Sequence, residues 1–153
     1  MTDYRSRVPL PPHRRDDLVR QVCRVLIATA PAAWQEIHAW FTTTVGLSTS
    51  RLEFVLPGGS RTVPDGIPPA AETRLDDLRN GMYRDRIGTW YSARIVIVAP
   101  GQFSIDYDYD SEPVFDPPLD ASGLALDFEY FPRAREHTPE WLRRTLSHAG
   151  QAL

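Results

Sequence analysis

The segment between Asp106 and Glu129 holds eight carboxylates and no basic residue. Asp106, Asp108 and Asp110 alternate with Tyr107 and Tyr109. At the two-residue period of a strand, the acids take one face and the rings the other. Glu112, Asp116 and Asp120 carry the acidic run on through the proline-rich stretch EPVFDPPLD. Carboxylates crowded on a firm sheet repel one another, so the pattern costs stability unless something basic meets them. Three uses suit it: binding a metal, gripping a basic partner, or keeping the surface soluble.

The metal reading departs from the known calcium loop in spacing. With Asp106 as first ligand, an EF-hand needs glycine at its sixth position and a bidentate glutamate at its twelfth. Those positions are Ser111 and Pro117. A calcium-binding module therefore stands only as an alternative. The histidines (His13, His38, His137 and His148) form no helical i,i+4 pair and no HExxH triplet. No GxSxG elbow is present, and Gly58-Gly59 lacks the phosphate-cradling pattern of a P-loop or dinucleotide site. The single cysteine, Cys23, excludes an internal disulfide and a cysteine-built zinc site. It sits in an apolar helical run and reads as a buried, inert thiol. The expectation is a protein with no catalytic set, no metal and no cofactor. The alternative enzymatic or ligand-binding reading uses Glu36, His38 and Trp40, which share one strand face with Trp34; an exposed tryptophan is a common binding anchor.

All seventeen basic residues are arginine. Arg5, Arg7, Arg14, Arg15, Arg20 and Arg24 gather near the start of the chain and could touch phosphates. No nucleic-acid module accompanies them, and the acidic segment would repel a polyanion. The acids instead suit a protein partner with a cationic cleft, such as a nuclease or another enzyme of phosphate substrates. They would occupy the ground that phosphate normally holds, and would speed association by electrostatic steering.

The elements that must position these residues follow from periodicity and punctuation. The chain has 153 residues, enough for one domain with a real core. Residues 1–13 hold three prolines and no apolar period, so a flexible N-terminal arm is expected there, with a single domain over 14–153. Asp16 and Asp17 open a helix with the stripe Leu18, Val22, Val25, Leu26 and Thr29, stopped by Pro31. Trp34 to Val45 alternates like a strand, Arg51 to Leu56 is a second, and a short third lies near Arg61–Val63. Pro68-Pro69 leads into a helix through about Arg86, ended by Gly88. Trp90 to Val98 and Phe103 to Tyr109 form a hairpin about Pro100-Gly101. A proline-pinned loop follows, then a short helix, or alternatively an edge strand, near 122–131, and a last helix from Thr138-Pro139 that buries Trp141, Leu142 and Leu146. The fold class is α+β: one antiparallel sheet with helices packed on one face. No apolar run approaches the roughly 20 residues of a membrane span, and the polar start does not read as a signal peptide, so a cytoplasmic protein is expected.

Several blocks in the second half, in this order, resemble a known pattern. GTWYSAR at Gly88–Arg94, FSIDYDYDSEPVF at Phe103–Phe115, FPR at Phe131–Arg133, Glu136, and PEWL at Pro139–Leu142 are similar to the YezG-like immunity proteins of bacterial polymorphic toxin systems. The first half resembles them only in layout. The resemblance implies a small cytosolic antitoxin that binds and neutralises a cognate secreted toxin domain, with no catalysis and no cofactor. It transfers no binding residues. The partner-facing set Asp106, Asp108, Asp110, Glu112, Asp116 and Asp120 rests on the charge argument alone.

Overall fold

The structure, a computed structural model, describes residues 8–150. Helix α1 (Pro12–Thr29) is followed by strands β1 (Glu36–Thr43), β2 (Ser48–Val55) and β3 (Arg61–Thr62). Helix α2 (Pro69–Gly81) leads to the hairpin β4 (Ser92–Val98) and β5 (Gln102–Asp108). Helices α3 (Ala121–Tyr130) and α4 (Glu140–His148) complete the chain. The five strands form one antiparallel sheet in the order β3-β2-β1-β4-β5. This is the expected α+β fold with a single sheet.

Alternation along β1 decides which face is covered. Ile37, Ala39, Phe41 and Thr43 are buried, while Glu36, His38, Trp40 and Thr42 are half-buried. Residues paired directly across an antiparallel ladder share a face. Leu52 and Phe54 of β2 and Ala93, Ile95 and Ile97 of β4 therefore join the buried set. Val19, Val22, Cys23 and Leu26 of α1, with Ala71, Leu75 and Leu78 of α2, pack on that face. Each large aliphatic side chain so buried stabilises the fold by about 1.5–3 kcal/mol. A second, smaller core gathers Leu124, Ala125, Leu142 and Leu146 of α3 and α4 around Tyr91. The other sheet face carries no helix among the described residues.

Several boundaries differ from the sequence expectations. Helix α1 starts at Pro12, one turn before Asp16, with proline at the first helical position, where its missing N–H costs nothing. Leu10 is no part of a loose arm: its N–H donates to the Gly81 carbonyl at 2.9 Å, and its side chain fills the space over Gly81, which any Cβ there would occupy. Residues 1–7 of the expected arm, with Arg5 and Arg7, lie outside the described residues. Helix α2 stops at Gly81 rather than Arg86. Residues 82–91 instead form a crossover in which Arg86 and Gly88 take positive φ and Arg84 and Gly88 exchange backbone hydrogen bonds. That loop sends Trp90 into the main core and Tyr91 into the smaller one, so β4 begins only at Ser92. Finally, β2 starts at Ser48, where Ser48 to Ser50 pair with Phe41 to Thr43.

Candidate functional site

The uncovered sheet face is built from cross-strand rows. Glu53, His38, Val96 and Ser104 make one row; Arg51, Trp40, Arg94 and Asp106 make the next; Thr49, Thr42, Ser92 and Asp108 the third. Trp40 is the centre. The guanidinium of Arg51 lies 5.9 Å from its ring and that of Arg94 5.5 Å, one on each neighbouring strand. His38 stacks on the same indole at 6.0 Å. Cation–π contacts of this kind are worth about 0.5–1 kcal/mol at exposed sites and fix the orientation of the ring. Glu53 holds Arg51 at 3.2 Å and Arg61 at 3.5 Å, and Glu36 accepts from His38 at 3.1 Å.

Small residues on either side of Trp40 leave two hollows. One, of about 480 Å³, is lined by Trp40, Arg51, Val63, Asp65, Val114 and Asp116. The other, of about 420 Å³, is lined by Trp40, Ser92, Arg94, Asp106 and Asp108. The tryptophan face and part of the acidic segment are thus one surface, which the sequence had suggested as two separate ones. Glu36 and His38 line neither hollow and instead pair with each other.

The six expected partner-facing acids do not act alike. Asp106 projects from β5 in register with Arg94, yet Arg94 turns to Trp40 and no ion pair forms between the two. Glu112 and Asp116 sit exposed on the loop before α3; the Asp116 backbone carbonyl accepts from the Thr49 hydroxyl at 3.1 Å, which ties the loop to the end of β2. These three carboxylates have no internal ion pair among the described residues. The other three do structural work, which corrects the expectation of a uniform anionic patch. Asp108 accepts the backbone N–H groups of Ser111 and Asp110 at 2.9 and 3.1 Å, and these bonds hold its carboxyl below the usual range. Asp110 lies past the end of β5 and pairs with the buried Arg133 at 3.1 Å. Asp120 caps α3, accepting from the Ser122 hydroxyl and the Gly123 N–H, which lower its pKa. For Asp108 and Asp120 the reason is local, since short acidic side chains at a chain turn meet free N–H groups; for Asp110 it is tertiary, since a buried guanidinium needs an acceptor.

No three potential ligands among His, Cys, Asp and Glu come together as a metal site among the described residues.

Sequence reasoning missed two buried arginines. Arg79 and Asp127 are each 1% exposed and form a bidentate pair at 2.7 and 2.8 Å. Arg79 also donates to the Trp90 carbonyl at 2.6 Å and lies 4.7 Å from the Phe131 ring. Asp127 further accepts the Val45 N–H at 2.9 Å. Arg133 donates to the carbonyls of Thr89, Tyr109 and His137 besides Asp110. A Cβ on Gly88 would lie 2.5 Å from Arg133 Nε. Trp141 donates its indole N–H to the Asp110 carbonyl and meets Tyr91 edge-on. The residues that carry the family resemblance therefore converge on Arg133 and its neighbours, where they lock the crossover, the end of β5 and the last two helices together. The one available signal was that Arg79 follows Leu75 by four residues, on the apolar stripe of α2.

No protein-family model matches the chain, and no curated protein is significantly similar to it. No helix among the described residues is long and apolar enough to cross a membrane.

Proposed function

We propose that this chain is an immunity protein: a cytoplasmic antitoxin that binds a cognate bacterial toxin domain and blocks it without making or breaking bonds. The partner is a domain with a cationic cleft, of the nuclease or phosphate-substrate type. The observation that carries the reading is the uncovered sheet face, where a half-buried Trp40 is fixed between Arg51 and Arg94 and rimmed by Asp106, Asp116 and Asp65. Tryptophan and arginine dominate the energetics of protein interfaces, with charged groups at the rim setting partner choice. Carboxylates without internal partners, beside a preformed aromatic anchor, suit a basic protein surface better than bulk water. The ordered blocks shared with YezG-like proteins support the same reading at the level of the fold. In this reading the buried residues of those blocks hold the scaffold, while their exposed residues on β4, β5 and the loop 112–120 join β1 in the docking face.

The test is whether a neighbouring gene encodes a toxin domain and whether that domain binds this chain, by copurification and by calorimetry at two salt concentrations. Trp40→Ala should raise Kd by about thirtyfold or more, as for an interface hot spot of at least about 2 kcal/mol. The triple change Asp106→Asn, Glu112→Gln and Asp116→Asn should weaken binding and flatten its salt dependence. Parent-like binding by both variants, or no complex with the neighbouring toxin domain, would overturn the proposal.

A further inference from the structure

We infer that the outer edge of β5 is itself a docking element, which adds a strand of alternating basic and apolar residues from the partner to the sheet. The inference rests on the reading of the uncovered face as a partner surface, and it names the partner's segment. Strand β5 ends the sheet: β4 is its hydrogen-bonded neighbour and no strand lies beyond it among the described residues. The Thr43 N–H bonds to the Tyr91 carbonyl and the Ala99 N–H to the Gln35 carbonyl, which places Ala93, Ile95 and Ile97 in the ladder toward β1, while the N–H of Tyr91, before the strand, turns to the Asp108 carbonyl of β5. Antiparallel alternation then turns the backbone groups of Ser92, Arg94, Val96 and Val98 to β5, and those of Phe103, Ile105 and Tyr107 to the open edge.

Proteins usually guard such an edge with a bulge, a proline, short length or a lysine. Strand β5 is seven residues long, pairs with β4 in unbroken register and contains no proline. Its only guard is charge of one sign. A second copy paired antiparallel about Tyr107 would set Asp106 against Asp108, which is unfavourable, and paired about Ile105 it would set the acids against Ser104 and Gln102, with no opposite charge to meet them. A strand with arginine or lysine at every second position meets the opposite situation. Its basic residues would lie on the uncovered face beside Asp106 and Asp108, about 4.8 Å away. The hollow of about 420 Å³ over Ser92, reaching from these acids to Trp40, has room for their heads. Its apolar residues would lie on the other face beside Phe103, which is 41% exposed, and beside the half-buried Ile105 and Tyr107. The edge therefore discriminates against itself and for a cationic strand, with backbone bonds supplying affinity and alternate side chains supplying specificity.

The probe is a blocked peptide of six residues alternating arginine and valine, with a peptide of the same composition but three arginines followed by three valines as control. Amide hydrogen exchange by NMR is the readout. The alternating peptide should slow exchange at Phe103, Ile105 and Tyr107 at least tenfold, and the control should not. Phe103→Pro removes an outward N–H and leaves the β4 ladder intact, a change tolerated at an edge; it should weaken peptide binding at least tenfold, and retained amide protection across β4 reports folding. Equal binding of both peptides, absent protection at the three amides, or concentration-dependent dimerisation through this edge would each overturn the inference. In the toxin-domain complex the two readings separate. Loss of affinity in Trp40→Ala with none in Phe103→Pro leaves the docking face standing and removes the added strand. Loss in neither removes both.

Discussion

Replacing Asp127 with alanine strips three donors of their acceptor at once. Both terminal nitrogens of Arg79 and the Val45 N–H now bond to that carboxylate, at 2.7 to 2.9 Å. Arg79 is 1% exposed and cannot turn out to water. It also donates to the Trp90 carbonyl, lies against the faces of Phe131 and Tyr91, and interacts electrostatically with the Asp76 carboxylate. Leaving one charge of a buried pair uncompensated costs about 3–5 kcal/mol. A domain of this size is stable by about 5–15 kcal/mol, so the change removes at least about a fifth of its stability. At a urea slope of about 2 kcal/mol/M, the midpoint should fall by about 1.5–2.5 M. The fluorescence of Trp90, fully buried beside the pair, follows the transition in urea titrations. The double variant Arg79→Met with Asp127→Leu carries no buried charge and should regain more than half of the loss. A midpoint loss under about 0.5 M at unchanged slope, or a double variant no better than Asp127→Ala, would refute the assignment of Arg79 and Asp127 as the pin between α2 and α3.

Two further outcomes follow from neighbouring groups. Burial pushes the Asp76 carboxyl up from 3.8 to about 6, against the hydrogen bond from the Thr43 hydroxyl. The folded state thus prefers the protonated acid, so this residue's penalty is absent at low pH and grows as pH rises from about 4 through about 6. Asp76→Asn should melt like the parent at pH 4 and be more stable by about 1–2 kcal/mol at pH 7, after allowance for solvent screening of a partly exposed group; a pH-independent difference between the two melting curves would contradict this. Gly88 holds φ at +94° with the Arg133 side chain packed against its Cα, so Gly88→Ala combines backbone strain with displacement of a buried arginine. A loss of about 2–3 kcal/mol in chemical denaturation is expected, and a neutral effect would show that the crossover can adopt another path.

Local pattern was legible wherever one physical signal dominated. Alternation in Trp34–Val45 gave β1 and its two faces, the Pro100-Gly101 turn gave the β4–β5 hairpin, and α+β architecture followed from the order of elements. The limits of α2 were misread because apolar spacing continues through Met82 and Ile87, although the chain leaves the helix at Gly81 to bury Trp90. The acidic segment was read as one surface because sequence shows charge but not which N–H groups lie nearby. Asp108, Asp110 and Asp120 found donors at the end of β5 and the start of α3, while Asp106, Glu112 and Asp116 did not.

The amino-acid order alone settled the strand faces and the concentration of acids, since these depend on residues a few positions apart. Tertiary packing decided everything that joins distant segments. It brought Arg51, Trp40 and Arg94 into one row from three strands, and closed Arg79 on Asp127 across 48 positions. A buried guanidinium and a solvated one are the same letter; only the solvent left around it, and the acceptors that replace that solvent, separate a structural pin from a binding surface.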